Sequence, residues 1–179
     1  IYKKGFYELI IKEFEQNKNA DIITFMMEDQ YGNIFKNYKN QTKHDKKSIR
    51  EVNSVVIAFR RESIIKNKIQ FDPLFGLGGT FKTGDEYIFL RDCLKKKMNV
   101  LFCPKIILKH DSISSGKLAF KDENIFARAA IFHKFYGYLS YFKLVHHIYL
   151  LKKKNMISWK QVFNKFLVGL DGIKKFKSV

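Results

Sequence analysis

Two adjacent acids, Asp85 and Glu86, follow the glycine-studded run "FDPLFGLGGTFKTG" and open the amphipathic run "YIFLRDCLKKK". A carboxylate placed there can take a proton from a hydroxyl nucleophile within hydrogen-bond reach, which is general-base chemistry. The same residues also read as a plain helix start. "TGDE" fits a capping box, with Thr83 accepting from the N3 amide and Glu86 reaching back to the amide of Thr83, and acids in a first turn gain from the helix dipole without any chemical purpose. Gly76, Gly78, Gly79 and Gly84 favour chemistry. A long glycine-bearing approach that packs nothing costs chain entropy, and such loops belong where a segment closes over a ligand.

The elements that would position the acids follow from hydrophobic spacing. Phe6, Leu9, Ile10 and Phe14 repeat at helical intervals, and "ADIITFMMED" reads as a mostly buried strand ending at an acidic edge. "DQYGN" is a turn from which "NIFKNY" is expected to return antiparallel. "NQTKHDKK" is a polar loop. Val52 to Phe59 reads as a β-branched strand that passes through Arg60 and Arg61 into a short helix. Beyond the acids, Tyr87, Leu90, Leu94 and Met98 share one helical face. "NVLFC" and "KIILKH" read as two short strands, separated or bent at Pro104, which cannot donate to a ladder. After the loop "DSISSGK" the chain turns to helical patterns rich in aromatics and lysine.

Composition narrows the partners. The chain has 179 residues and a net charge of +17, enough length for one domain with a core. Only Arg50, Arg60, Arg61, Arg91 and Arg128 are arginines, so lysine carries nearly all the excess. Scattered lysine suits diffuse attraction to anionic surfaces, whereas base readout favours the arginine fork. Cys93 and Cys103 fit neither a metal-ligand spacing nor a disulfide framework, and the default setting is reduced and cytosolic. No apolar run approaches a spanning length. The sequence opens on Ile1 with no signal region, so an upstream part is expected.

The stretch "FDPLFGLGGTFKTGDEYIFLRDCLKKKMNVLFCPKIILKH" resembles the second half of a family 2 glycosyltransferase with the GT-A fold. Members commonly show a Phe-Asp pair, a glycine-bearing loop, Gly-Glu-Asp or a relative, an "FxLR"-like helix, an aromatic-Cys/Ala-Pro strand and a histidine closing the next strand. The likeness covers Val52 to Gly116 well, Ile1 to Tyr38 in outline, and the tail hardly at all.

The resemblance implies a fold of the α/β class, a partial GT-A (Rossmann-like) mixed sheet with helices over residues 1–120, and the residues beyond it read by their own pattern as a helical, basic C-terminal extension over residues 121–179. It implies that Asp85 and Glu86 occupy the family's acidic pair, whose second member usually deprotonates the acceptor hydroxyl. Here the order is Asp-Glu rather than the more frequent Glu-Asp, so both acids remain candidates for the base. His110 stands where many members have a histidine near the metal and diphosphate. Gly78, Gly79 and Arg61 stand in segments that imply acceptor binding. The family generally holds a divalent metal, Mg or Mn, and the nucleotide-sugar diphosphate through Asp-x-Asp. No Asp-x-Asp occurs in this chain. By analogy it would lie immediately before Ile1, in an N-terminal half holding most of the metal and donor site, so these residues alone are expected to transfer little or no sugar.

The implied reaction is inverting transfer from a nucleotide-sugar donor to a saccharide or lipid-linked acceptor, as in bacterial surface polysaccharide synthesis. The implied location is cytoplasmic, peripheral at the inner face of the membrane. The tail agrees, since aromatic and aliphatic residues from Ile125 to Lys154 interleave with lysine and histidine as in helices that lie in a membrane interface. His146 and His147 would then face lipid headgroups, and a fragment with an exposed face has reason to self-associate. The rival reading is a nucleic-acid-binding or membrane-interaction module without catalysis, supported by basic charge and abundant Tyr and Phe. No recognition motif for specific nucleic acid is present.

Overall fold

A computed structural model describes residues 1–110 and 118–179; the loop expected at "DSISSGK" lies outside them. The architecture is mixed α/β, a three-stranded sheet with helices followed by a long C-terminal helical region. Its contacts group into two compact units. One holds Ile1–Phe71 with the chain from Glu86 through the last strand, and the other holds Asp72–Asp85 with the C-terminal helices.

In the first unit, α1 (Phe6–Gln16) buries the predicted stripe against the core. Its last turn is closed from outside. The Arg60 guanidinium donates to the Phe14 and Ala20 carbonyls at 2.7 and 2.9 Å and covers the Phe14 ring, which satisfies a terminal carbonyl that the helix leaves free. Strand β1 (Ile22–Glu28) follows and is buried at every residue. It lies at the centre of the order β2-β1-β3, antiparallel to β2 (Ile57–Phe59) and parallel to β3 (Val100–Lys109). Burial on both faces explains why it reads as a mostly apolar run rather than an alternating one.

Three expectations change. β3 is one strand rather than two, and Pro104 is absorbed by a bulge. Thr24 pairs with Phe102 and Met26 with Ile106, so two steps along β1 match four along β3. The extra residues excuse proline from the ladder. The expected strand from Val52 is interrupted by a 3-10 turn, Ser54–Val56, and only Ile57–Phe59 pairs in the sheet; the Val56 amide bonds the Asn53 carbonyl and turns the chain. "NIFKNY" contributes a single bridge, Glu28 with Ile34, instead of a strand. α2 (Arg61–Lys66) and α3 (Asp85–Lys95) stand where the sequence placed them.

The second unit is built on α4 (Asp122–Tyr136), α5 (Ser140–Lys153) and α6 (Trp159–Lys177) around Ile125, Ala129, Leu144, Ile148 and Ile173. α6 approaches its neighbours through glycine. A Cβ on Gly169 would lie 2.3 Å from Leu144 Cδ1, and one on Gly172 would lie 2.2 Å from the Phe126 carbonyl oxygen. Among the described residues no helix is long and apolar enough to cross a membrane.

The glycine loop belongs to this unit and overturns the expectation that it packs nothing. Phe75 and Phe81 stack at 4.8 Å, and Phe81 lies 5.3 Å from Phe126 and 6.0 Å from Phe176. Phe81 donates its amide to the Leu74 carbonyl at 2.8 Å and accepts from Gly76 at 2.8 Å. The loop thus folds on itself over an aromatic core.

The two candidate glycines differ within it. A Cβ on Gly79 would lie 2.7 Å from the Leu74 carbonyl oxygen, whereas one on Gly78 would meet nothing within 4 Å and face only the strain of φ +96°. Gly79→Ala is therefore expected to cost roughly 1–3 kcal/mol by overpacking against backbone, and Gly78→Ala about 1–2 kcal/mol by left-handed strain alone. Urea midpoints of the two variants check the order.

Candidate functional site

A cleft opens in the first unit where β1 and β3 meet the polar segment after β1. The centre of a water molecule can reach about 30 Å³ of it, and its empty space is about 380 Å³ with open solvent counted. The enclosed part has room for water and no more; a larger ligand would occupy the mouth. Thr24, Lys36, Tyr38, Gln41, His44 and Glu51 line it.

His44 forms part of its wall and is buried, 6% exposed. Its Nδ1 meets the Gln41 amide nitrogen at 3.1 Å and Ser48 Oγ at 3.0 Å, and its Nε2 meets Thr24 Oγ1 at 2.6 Å. An amide nitrogen only donates, so Nδ1 accepts and Nε2 carries the hydrogen given to Thr24. The ring is neutral. Burial pushes its pKa down to about 4, with Asp45 opposing the shift and Lys36 adding to it. A proton-transfer role at neutral pH does not fit such a group, and a fixed structural donor does.

Lys36 enters the same cleft, donating to the Glu51 carbonyl and to Asn53 Oδ1, the latter at 2.8 Å. Burial lowers its ammonium from 10.5 to about 8, while the carboxylates of Glu51 and Glu86 hold it up. Glu86 is thereby tied electrostatically to the cleft. Both acids are half-buried, and they sit at the first two positions of α3, after Gly84 at φ +94°. That glycine is required by packing as well, since a Cβ on it would lie 2.3 Å from Ile131 Cδ1. Asp85 packs against its own loop instead, where a Cβ on Gly76 would lie 3.0 Å from the Asp85 carboxyl carbon.

Arg61, Gly78, Gly79 and His110 do not line the cleft. Arg61 is exposed at the first position of α2 and does not line the cleft. Gly78 and Gly79 act within the loop itself, the first at an open turn and the second under the Leu74 carbonyl. His110 follows β3, donates its amide to the Glu28 carbonyl at 2.9 Å and meets Phe35 edge-on at 5.5 Å. The nearby Glu28 carboxylate is held by Lys3 at 3.2 Å and Lys109 at 3.5 Å. Among the described residues no three of His, Cys, Asp and Glu come together as metal ligands. The described residues by themselves therefore do not make a three-ligand site for a divalent ion. Cys93 and Cys103 are buried, and burial pushes both thiols up to about 12, which makes them poor nucleophiles.

His44 and Lys36 went unmarked in the sequence. Nothing in "NQTKHDKK" separates a buried histidine from a surface one, because what buries it is pairing along β3. The His44 amide donates to the Val100 carbonyl and the Phe102 amide to the Thr42 carbonyl. His147 is a correction of the opposite kind. It packs edge-on to Phe132, its Nε2 is buried with no hydrogen-bond partner among the described residues, and burial pushes its pKa to about 4, so it does not face headgroups as a cation.

Compared with protein family models, with curated proteins and with solved structures, the chain matches none.

Two titrations follow. The unfolded chain binds a proton at His44 near pH 6.5 and the folded chain only near 4, so its contribution to stability is complete above pH 6.5 and is lost as pH falls toward 4. Between pH 7 and pH 5 urea unfolding should lose on the order of 2 kcal/mol from this group, with His147 adding a loss of the same sign. His44→Asn should flatten the dependence. Glu86→Gln should lower the Lys36 pKa below about 8, read from the ¹³Cε shift of labelled lysine against pH, with Lys36→Arg assigning the signal.

Proposed function

We propose that the chain is the acceptor-side part of an inverting glycosyltransferase of the family 2, GT-A type, with Glu86 as the general base. The observation that carries this reading is the position of Glu86. It stands second in an acid pair that opens α3 after a glycine loop, and its carboxylate acts on the cleft's Lys36, whereas Asp85 packs against Gly76. The order of glycine loop, acid pair, proline-bearing strand and His110 supports the same assignment.

In this reading the acceptor hydroxyl gives its proton to Glu86 as its oxygen attacks the anomeric carbon. The bond from that carbon to the diphosphate oxygen breaks, its electron pair leaves with the nucleoside diphosphate, and configuration inverts. A base in this role contributes roughly 10²–10⁴-fold. Lys36, whose pKa of about 8 leaves it mostly cationic at pH 7, supplies the positive charge of the cleft. Donor binding falls to residues outside these 179, because no Asp-x-Asp and no phosphate-cradling glycine loop ahead of a helix occurs among them. The acceptor is a saccharide or lipid-linked saccharide.

The test is sugar transfer by the protein with its upstream sequence. Glu86→Gln is expected to lower kcat by roughly 10²–10⁴-fold with substrate binding retained, and Asp85→Asn by less than about tenfold. Full transfer by Glu86→Gln sinks the base assignment, and a larger loss from Asp85→Asn moves it to Asp85.

A further inference from the structure

We infer that the outer face of the α5–α6 hairpin docks on an anionic lipid surface. The face is apolar at helical spacing on both helices. Phe142, Val145 and Tyr149 are 75%, 55% and 56% exposed on α5, and Trp159, Phe163 and Leu167 are 76%, 71% and 41% exposed on α6. These are not the core positions of the unit. Leu144, Ile148 and Leu151 on α5 and Gly169, Gly172 and Ile173 on α6 are buried instead. Each helix therefore has a second apolar stripe left in water, in addition to the one that packs.

Charge identifies what covers the stripes. Residues 121–179 carry eleven lysines and one arginine against three acids, a net +9 of the chain's +17. Lys153, Lys154, Lys160 and Lys174 are exposed around the same hairpin, and Lys152 lies over the Trp159 ring at 5.2 Å. A second copy meeting this face about a two-fold axis would set lysine against lysine, so self-association is disfavoured by charge. A nucleic acid would satisfy the lysines and stack on aromatics, yet it offers nothing to Val145 and Leu167. An anionic bilayer satisfies both. The aromatic and aliphatic side chains enter the headgroup boundary while the lysines meet lipid phosphates, at about 1 kcal/mol for each lysine near the surface. The helices lie on the surface and do not span it, as neither is long and apolar enough to cross.

This inference does not rest on the glycosyltransferase reading, and its test contains no sugar transfer. Trp159 is the single tryptophan of the chain, so fluorescence reports this face alone. Vesicles of phosphatidylglycerol and phosphatidylethanolamine should shift its emission to the blue, shield it from iodide and carry the protein upward in flotation. Raised salt should weaken the association, and phosphatidylcholine vesicles should bind at least tenfold less. Phe142→Ser with Phe163→Ser, both at exposed positions, should reduce binding about tenfold or more with the far-ultraviolet dichroism unchanged. Lys153→Glu with Lys154→Glu should do the same without touching an apolar group. The proposal is overturned by emission that anionic vesicles do not move, or by equal binding to phosphatidylcholine. It is also overturned by emission already shifted in a concentration-dependent dimer, or by a shift caused only by an oligonucleotide.

Discussion

A hydroxyl buried in the middle of the central strand sets the terms for the first unit. Thr24 is 1% exposed, between Ile23 and Phe25, and a buried hydroxyl left unpaired costs on the order of 1–3 kcal/mol. His44 Nε2 meets that need, and the segment carrying it must lie along β3 to do so. Each further polar group then needs its own partner. His44 Nδ1 has Gln41 and Ser48, and Ser48 Oγ also accepts from the Asp45 amide at 2.9 Å. The Asp45 carboxylate accepts from the amides of Lys47 and Ser48, which hold it below the usual carboxylate range. The cleft wall is the outcome of this sequence of obligations. A network this fully satisfied favours one arrangement over its alternatives.

The second unit solves a different problem, that of bringing three amphipathic helices and an irregular loop together without a sheet. It does so with close approach. Gly169 and Gly172 let α6 sit against Leu144 and the Phe126 carbonyl, while Phe75, Phe81, Phe126 and Phe176 fill the space by the loop with rings in stacked or tilted contact. Rings at such distances add attraction beyond the area they bury. The glycines of the loop are then needed for turning and clearance in a packed segment, and flexibility is not their purpose.

Local periodicity made much of the fold legible. α1, α3 and the C-terminal helices repeat apolar residues at intervals that admit few other arrangements, and β1 reads as buried because it is apolar apart from Thr24 and the acid at its end. Pro104 misled because a proline in a strand pattern signals interruption, and only the pairing partner shows that a bulge absorbs it. Phe75 and Phe81 misled for a similar reason. Among four glycines they look like loop decoration until the rings of α4 and α6 are placed beside them. The site was legible only in the acids. Lys36 and His44 owe their altered chemistry to burial by residues far along the chain, and burial of that kind leaves no mark in a seven- or ten-residue window.

The acid pair shows how much chemistry a helix start can separate. Adjacent helical residues point about 100° apart, so two carboxylates in sequence cannot serve one site equally. The boundary between the compact units falls between them. Asp85 is held against the backbone of the loop, where a side chain on Gly76 would crowd it, and Glu86 is left in the field of a lysine whose own proton burial has loosened. An Asp-Glu order, with the longer side chain second, suits this division.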